Sequence, residues 1–135
     1  MVESIMASIF TKIIRGEIPC HKILEDDRHF AFLEIRPLAP HHTLVVPKEE
    51  IDTFFDMEDA KMAALLKFSK KVASAVKKAA GCEKVAMVVY GLAVRHAHVH
   101  LVPVNGTPGE LDFRNQKDAG QDELAKSAQK IRSCL

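Results

Sequence analysis

Residues His96-Ala97-His98-Val99-His100 set three imidazoles at alternate positions, with apolar Ala97, Val99 and Leu101 between and after them. On a β-strand this period puts the three rings on one face and the apolar side chains on the other. Neighbouring histidines then stand about 6.5–7 Å apart along the backbone. Groups that titrate near neutrality are costly to bury: about 1–3 kcal/mol each if left without a partner. Something must bond them, and an anionic substrate is the natural candidate. Imidazoles at i and i+2 can also share a zinc ion, and satisfied structural histidines are a third reading. The motif alone leaves these open.

The rest of the chain limits what can surround that strand. Its 135 residues fit one domain, taken as residues 1–135, with a core over 8–104 and a tail over 105–135. A net charge of +1, from 19 basic and 18 acidic residues, gives no bulk field for nucleic acid or a membrane surface. No apolar run approaches the ~20 residues of a membrane span. Cys20, Cys82 and Cys134 are odd in number and widely spaced, which suits a reducing compartment. Residues Met1 to Met6 lack a signal-peptide pattern and read as a short extension, with Met6 an alternative start. The expected location is cytoplasmic.

The expected elements begin with a short helix over Ser8–Arg15, capped by Ser8 and stopped at Gly16. Strands follow at His21–Glu25 and His29–Ile35, joined across Asp26-Asp27-Arg28. In the second, Phe30, Phe32 and Glu34 share one face. The prolines of Arg36-Pro37-Leu38-Ala39-Pro40 require a loop, and His42–Pro47 is a strand. A long helix is expected over Asp56–Ala80, capped by Asp56, with Met62, Leu65, Leu66, Val72, Val76 and Ala80 as its apolar stripe. Lys70, Lys71, Lys77 and Lys78 read as its solvated face. Val85–Tyr90 carries no charge and reads as a central strand covered on both sides, with His96–Val102 as its neighbour. Gln121–Ile131 is a closing helix. His21 and His29 read as surface strand residues.

These stretches together match a family. His96-Ala97-His98-Val99-His100-Leu101-Val102 resembles the histidine triad signature of the HIT superfamily of nucleotide hydrolases and transferases. The similarity extends to Ser8–Ile14 with Gly16–Pro19, to Glu25-Asp26-Asp27, to Ala31–Pro37 and to His42–Lys48, in order, over roughly residues 8–104. It implies an α+β, HIT-like fold: an antiparallel sheet of about five strands, one long helix and short terminal helices. It also implies a homodimer joined through the long helix and the last of these strands.

For the chemistry, the resemblance implies that His98 is a nucleophile toward the α-phosphate of a purine nucleotide, an AMP or GMP conjugate. His100 would donate to a phosphate oxygen, with His96 and His42 orienting the strand and the substrate loop. Phe10, Ile18, Phe32, Leu33, Ile35 and Leu44 match positions that hold the base and ribose. Glu34 stands where the family has an aspartate on the ribose hydroxyls. Backbone amides at Ala93 and Val94 would add phosphate donors. No metal and no cofactor are expected, because Ser8 and Thr11 stand where many bacterial members carry a Cys-x-x-Cys zinc pair. Other departures are Tyr90 in place of asparagine, a shortened loop, Leu92, Ala93 in place of the phosphate-bonding hydroxyl, and His41 in place of glycine. His41 reads as a solvent-facing loop residue. A nucleotide-binding module with weak catalysis and a dinucleoside polyphosphate hydrolase are the alternatives.

Overall fold

The computed structural model describes residues 7–135; the proposed extension Met1–Met6 lies outside them. Helix α1 (Ile9–Ile14) starts where Ser8 Oγ accepts from the Thr11 amide. Strands β1 (Lys22–Glu25) and β2 (His29–Leu33) follow, then β3 (Thr43–Pro47). Helix α2 (Asp59–Ala80) leads to β4 (Lys84–Val88) and β5 (Val99–Val104), and α3 (Gln121–Arg132) closes the described chain. The five strands form one antiparallel sheet in the order β1-β2-β3-β5-β4. This is the α+β arrangement expected.

Alternation along the strands sorts two clusters onto the two faces. On one face Ala31, Leu33, Val45, Val99 and Leu101 pack against Leu65, Phe68, Val72 and Val76 of α2 and Leu124, Ala128 and Ile131 of α3. On the other, Phe30, Phe32, Leu44 and Val46 pack beneath Phe10, Ile13 and Ile14 of α1. Register then aligns Phe32 with Leu44 and Leu44 with His100 across three strands. The imidazole face is therefore the α1 face, away from the main core.

Four local expectations change. The long helix begins at Asp59 with Glu58 as N-cap, not at Asp56. Phe54–Asp56 instead forms a 3₁₀ turn, and extended Met57 and Glu58 swing the buried Phe54 and Met57 into the core. Strand β4 is an edge strand, not a central one. It opens on exposed Lys84 and exposes Met87, and Val89 and Tyr90 just beyond it are also exposed, so the uncharged run Val85–Tyr90 does not reflect burial within the chain. His29 is buried, not on the surface: its Nδ1 meets the Asp26 carboxylate and its ring lies 5.0 Å from that of Phe68. His21 is half-buried, 2.8 Å from Gln121 Oε1.

Within α2, Leu65, Val72 and Val76 of the expected stripe are buried, and the four lysines are exposed. Gly81 ends the helix in the left-handed region at φ 63°, where a Cβ would be strained. None of the helices in the described residues is long and apolar enough to cross a membrane. Leu65, fully buried between α2 and the sheet, tests the packing. Leu65→Ala should lower unfolding free energy by about 3 kcal/mol in urea titration; a loss below about 1 kcal/mol would contradict this placement.

Candidate active site

The site is built where β5 begins. His96 and His98 precede the strand proper, because the Ala97 amide donates to Ile51 O instead of to a ladder partner. The three rings nonetheless gather on one side. Phe10 of α1 presents its ring to both His96 (5.9 Å between centroids) and His98 (4.9 Å), each near edge-to-face. His98 and His100 are 5.0 Å apart, and His42 is 5.2 Å from His100.

Hydrogen bonds to groups of fixed character assign each proton. His98 Nδ1 lies 2.7 Å from the carbonyl of His96. A carbonyl only accepts, so Nδ1 carries the proton and Nε2 keeps its lone pair. The Leu38 amide donates to His42 Nδ1 at 3.0 Å, so His42 carries its proton on Nε2 and donates it to His100 Nδ1, also at 3.0 Å. That leaves the His100 proton on Nε2. His96 Nε2 donates to Pro47 O at 2.8 Å, and its Nδ1 accepts from Ser8 Oγ at 2.7 Å. Thr11 Oγ1 in turn donates to Glu50. Among the described residues, His98 Nε2 and His100 Nε2 have no partner, and no buried side-chain nitrogen or oxygen is unpaired. These two nitrogens therefore reach solvent: a lone pair and an N–H donor side by side.

Burial keeps all four rings neutral at pH 7. It lowers the His96 and His98 pKa values below the usual 6.5. It takes His42 down to about 4, and burial together with its imidazole neighbours takes His100 down to about 3. Glu34, half-buried just past β2, has its pKa raised by the same loss of solvent. One ligand atom each from Glu34, His42 and His100 falls within a 4.8 Å spread. A metal there would have to displace the Leu38 amide or the His42–His100 bond, since both His42 nitrogens are engaged.

The remaining candidates divide. Phe10, Phe32 and Leu44 are buried under α1 beside the histidines, and Val94 packs against them. Glu34 lies next to His42 and His100, as above. Leu33 points the other way, into the α2 core, so its side chain is not at the site. Ile35 and Ala93 are exposed, and Ile18 is half-buried outside either cluster. Arg95 is exposed, 3.9 Å from Asp52. His41 is not solvent-facing in the expected way. At φ 75° it takes the conformation that favours glycine, and its Nδ1 meets Ser127 Oγ of α3.

Sequence reasoning missed the segment after β5. A 3₁₀ turn at Phe113–Asn115 brings Phe113 edge-on to His100 (4.8 Å) and near-parallel to Tyr90 (6.2 Å). Gln116 bonds Glu34. No periodicity marks these residues; only the Asp112 side chain, which caps the turn, hints at order. Larger clefts lie elsewhere, such as one of about 400 Å³ between the β2–β3 side and α2. A cleft of about 190 Å³ opens beside His98, between Thr53, Phe55, Tyr90 and Leu92. The chemistry, not cavity size, locates the site.

Residues 15–107 match the HIT domain. The chain belongs to the HIT family. It is 38% identical over 124 residues to an uncharacterised HIT-like protein of Methanocaldococcus jannaschii, a match covering 87% of this chain and 95% of that protein. It is 36% identical over 103 residues to an adenosine 5′-monophosphoramidase of Schizosaccharomyces pombe, covering 73% of this chain and 74% of that one. The crystal structure of a HIT-like protein involved in cell-cycle regulation from Bartonella henselae superposes with a TM-score of 0.84 at 34% identity, covering 95% and 96% of the two chains. The strand expected over His96–Val102 runs instead from Val99 to Val104, so only His100 of the three histidines lies within β5.

The buried neutral rings set a pH dependence. Unfolded imidazoles protonate near 6.5, whereas folded His42 does so at about 4 and His100 at about 3. Their contribution to stability is thus complete above pH 6.5 and is lost as pH falls toward 4. For His42 alone it is worth about 3 kcal/mol. Thermal melts should be flat from pH 8 to 7 and fall steadily below 6.5, less steeply in His42→Gln. An unchanged melting temperature down to pH 4.5 would contradict the buried neutral rings.

Proposed function

We propose that this HIT protein is a hydrolase that cleaves a purine nucleoside monophosphate from an amine, acyl or phosphate leaving group. The observation that carries the reading is the tautomer of His98. With Nδ1–H held by the His96 carbonyl at 2.7 Å, the Nε2 lone pair faces outward. That is the form a phosphorus nucleophile needs at pH 7. Nε2 attacks the α-phosphorus, the bond to the leaving group breaks, and the leaving group departs with its electron pair and takes up a proton. Water then attacks the nucleotidyl-histidine, releasing the monophosphate and restoring His98. His100 Nε2–H donates to a phosphate oxygen where negative charge develops. His42 fixes the His100 tautomer, and His96 supplies the carbonyl. No step draws on a metal or a cofactor.

The purine part of the proposal follows the Schizosaccharomyces pombe relative, named for an adenosine 5′-monophosphoramidase. Phe10, Phe32 and Leu44 offer an apolar wall for the base, Glu34 an acceptor for ribose hydroxyls, and the amides at Ala93 and Val94 further donors. Because β5 is paired on both sides, it has no edge to offer a partner, so a homodimer is proposed on the open edge of β4, where Met87 is exposed, with Val89, Tyr90 and Leu92 exposed just beyond the strand. An unpaired apolar edge is a template for another strand. A binding module with weak catalysis is the second reading. It is favoured by Leu92 and Ala93, exposed and without phosphate-bonding side chains on the loop. Dinucleoside polyphosphate hydrolysis is a third outcome, which comparative kinetics on both substrate types separates.

His98→Ala should lower turnover of an adenosine phosphoramidate by about 10³-fold or more, with AMP binding and oligomeric state unchanged. Mass spectrometry of the quenched wild-type reaction should show a nucleotidylated protein that the variant lacks. Unchanged turnover in His98→Ala would remove the mechanism, and absence of the adduct across several substrates would favour the binding module. For the dimer, light scattering should give twice the chain mass for the wild type and a lower mass for Met87→Glu.

A further inference from the structure

The peptide unit between His96 and Ala97 is held by the end of β3 and the residues just after it. Its N–H, that of Ala97, donates to Ile51 O at 2.6 Å. In a trans peptide the C=O points opposite to the N–H. The same bond therefore turns the His96 carbonyl toward His98 Nδ1, 2.7 Å away. The His96 ring is fully buried, and its Nε2 donates to Pro47 O at 2.8 Å. Its other nitrogen is held from α1.

There the protons can run in one direction only. Glu50 is a carboxylate, kept below the usual range by the Ser8 amide and the Thr11 hydroxyl. It accepts from the Ser8 amide at 2.8 Å and from Thr11 Oγ1. The one Thr11 hydroxyl proton is thereby committed, so Thr11 Oγ1, 3.4 Å from His96 Nδ1, has none to donate there. Ser8 Oγ accepts from the Thr11 amide at 3.0 Å and sends its own proton to His96 Nδ1 at 2.7 Å, in preference to Thr11 Oγ1 at 3.3 Å. A helix as short as Ile9–Ile14 has little stability of its own. The bonds to Glu50 therefore place α1, and with it the Ser8 hydroxyl and the Phe10 ring against His98.

We propose that Glu50, Thr11 and Ser8 are positioning residues for the nucleophile: they lock the His96 ring, so that the His96 carbonyl holds the His98 proton on Nδ1. They act through His96, on the chemical step more than on binding. The proposal rests on the reading of His98 as the nucleophile and extends its support to a carboxylate at the protein surface.

Thr11→Val and Glu50→Ala, with Thr11→Ser as the conservative partner, test it. In turnover of an adenosine phosphoramidate the first two should lower kcat about tenfold, one lost hydrogen bond, with KM and the calorimetric affinity for AMP almost unchanged. Thr11→Ser keeps the hydroxyl and should keep the wild-type kcat. Long-range ¹⁵N–¹H spectra of the same proteins at pH 7 should show a His98 population protonated at Nε2 in Thr11→Val and Glu50→Ala, and none in the wild type or Thr11→Ser. Residues that only pack would lower the melting temperature and leave the His98 ring as it was. Unchanged His98 signals in both variants overturn the proposal, as does a loss confined to KM, or a Thr11→Ser as slow as Thr11→Val. A wild type with the expected His98 tautomer that turns over no conjugate would sink the hydrolase reading, and the spectra of the variants alone would then decide the positioning role.

Discussion

The bond from His98 Nδ1–H to the carbonyl of His96 is the constraint on which the rest depends. The chain leaves the sheet ladder where this bond forms. The Ala97 amide goes to Ile51 O, so 96–98 lie outside β5 and the His96 carbonyl is free to accept. His96 is held from the other side by Pro47 O and Ser8 Oγ. The end of β3 and the start of α1 are therefore both tied to the carbonyl that sets the nucleophile's proton.

The same economy runs through the second pair. A backbone amide at Leu38 sets His42, and His42 sets His100. Each ring's tautomer traces back to a backbone carbonyl or amide, whose polarity is fixed. Burial complements this by keeping the rings uncharged, with His42 at about 4 and His100 at about 3. Charged rings would repel one another over centroid distances near 5.0 Å. Neutral rings can differ, one presenting a lone pair and its neighbour a proton.

Much of this arrangement was legible in the sequence because it has short periods. The Phe30/Phe32 face and the stripe of Leu65, Val72 and Val76 each follow from one element's geometry, and the pattern at 96, 98 and 100 marks the site although only His100 lies in β5. The edge position of β4 was not legible: an uncharged run looks the same whether a neighbouring strand or open solvent lies beside it. His29 and His41 were misread because their partners, Phe68 and Ser127, come from helices distant in sequence. Phe113 and Gln116 escaped for the same reason. Their positions are set by the anchors of a non-periodic segment, and Leu33 was assigned to the site by its place in the family pattern although its side chain faces the core.

Long-range ¹⁵N–¹H correlation of the imidazoles at pH 7 tests the central claim most directly. His98 should carry its proton on Nδ1, with Nε2 bare, while His42, His96 and His100 carry theirs on Nε2. A His98 ring protonated at Nε2, or at both nitrogens, would contradict the account.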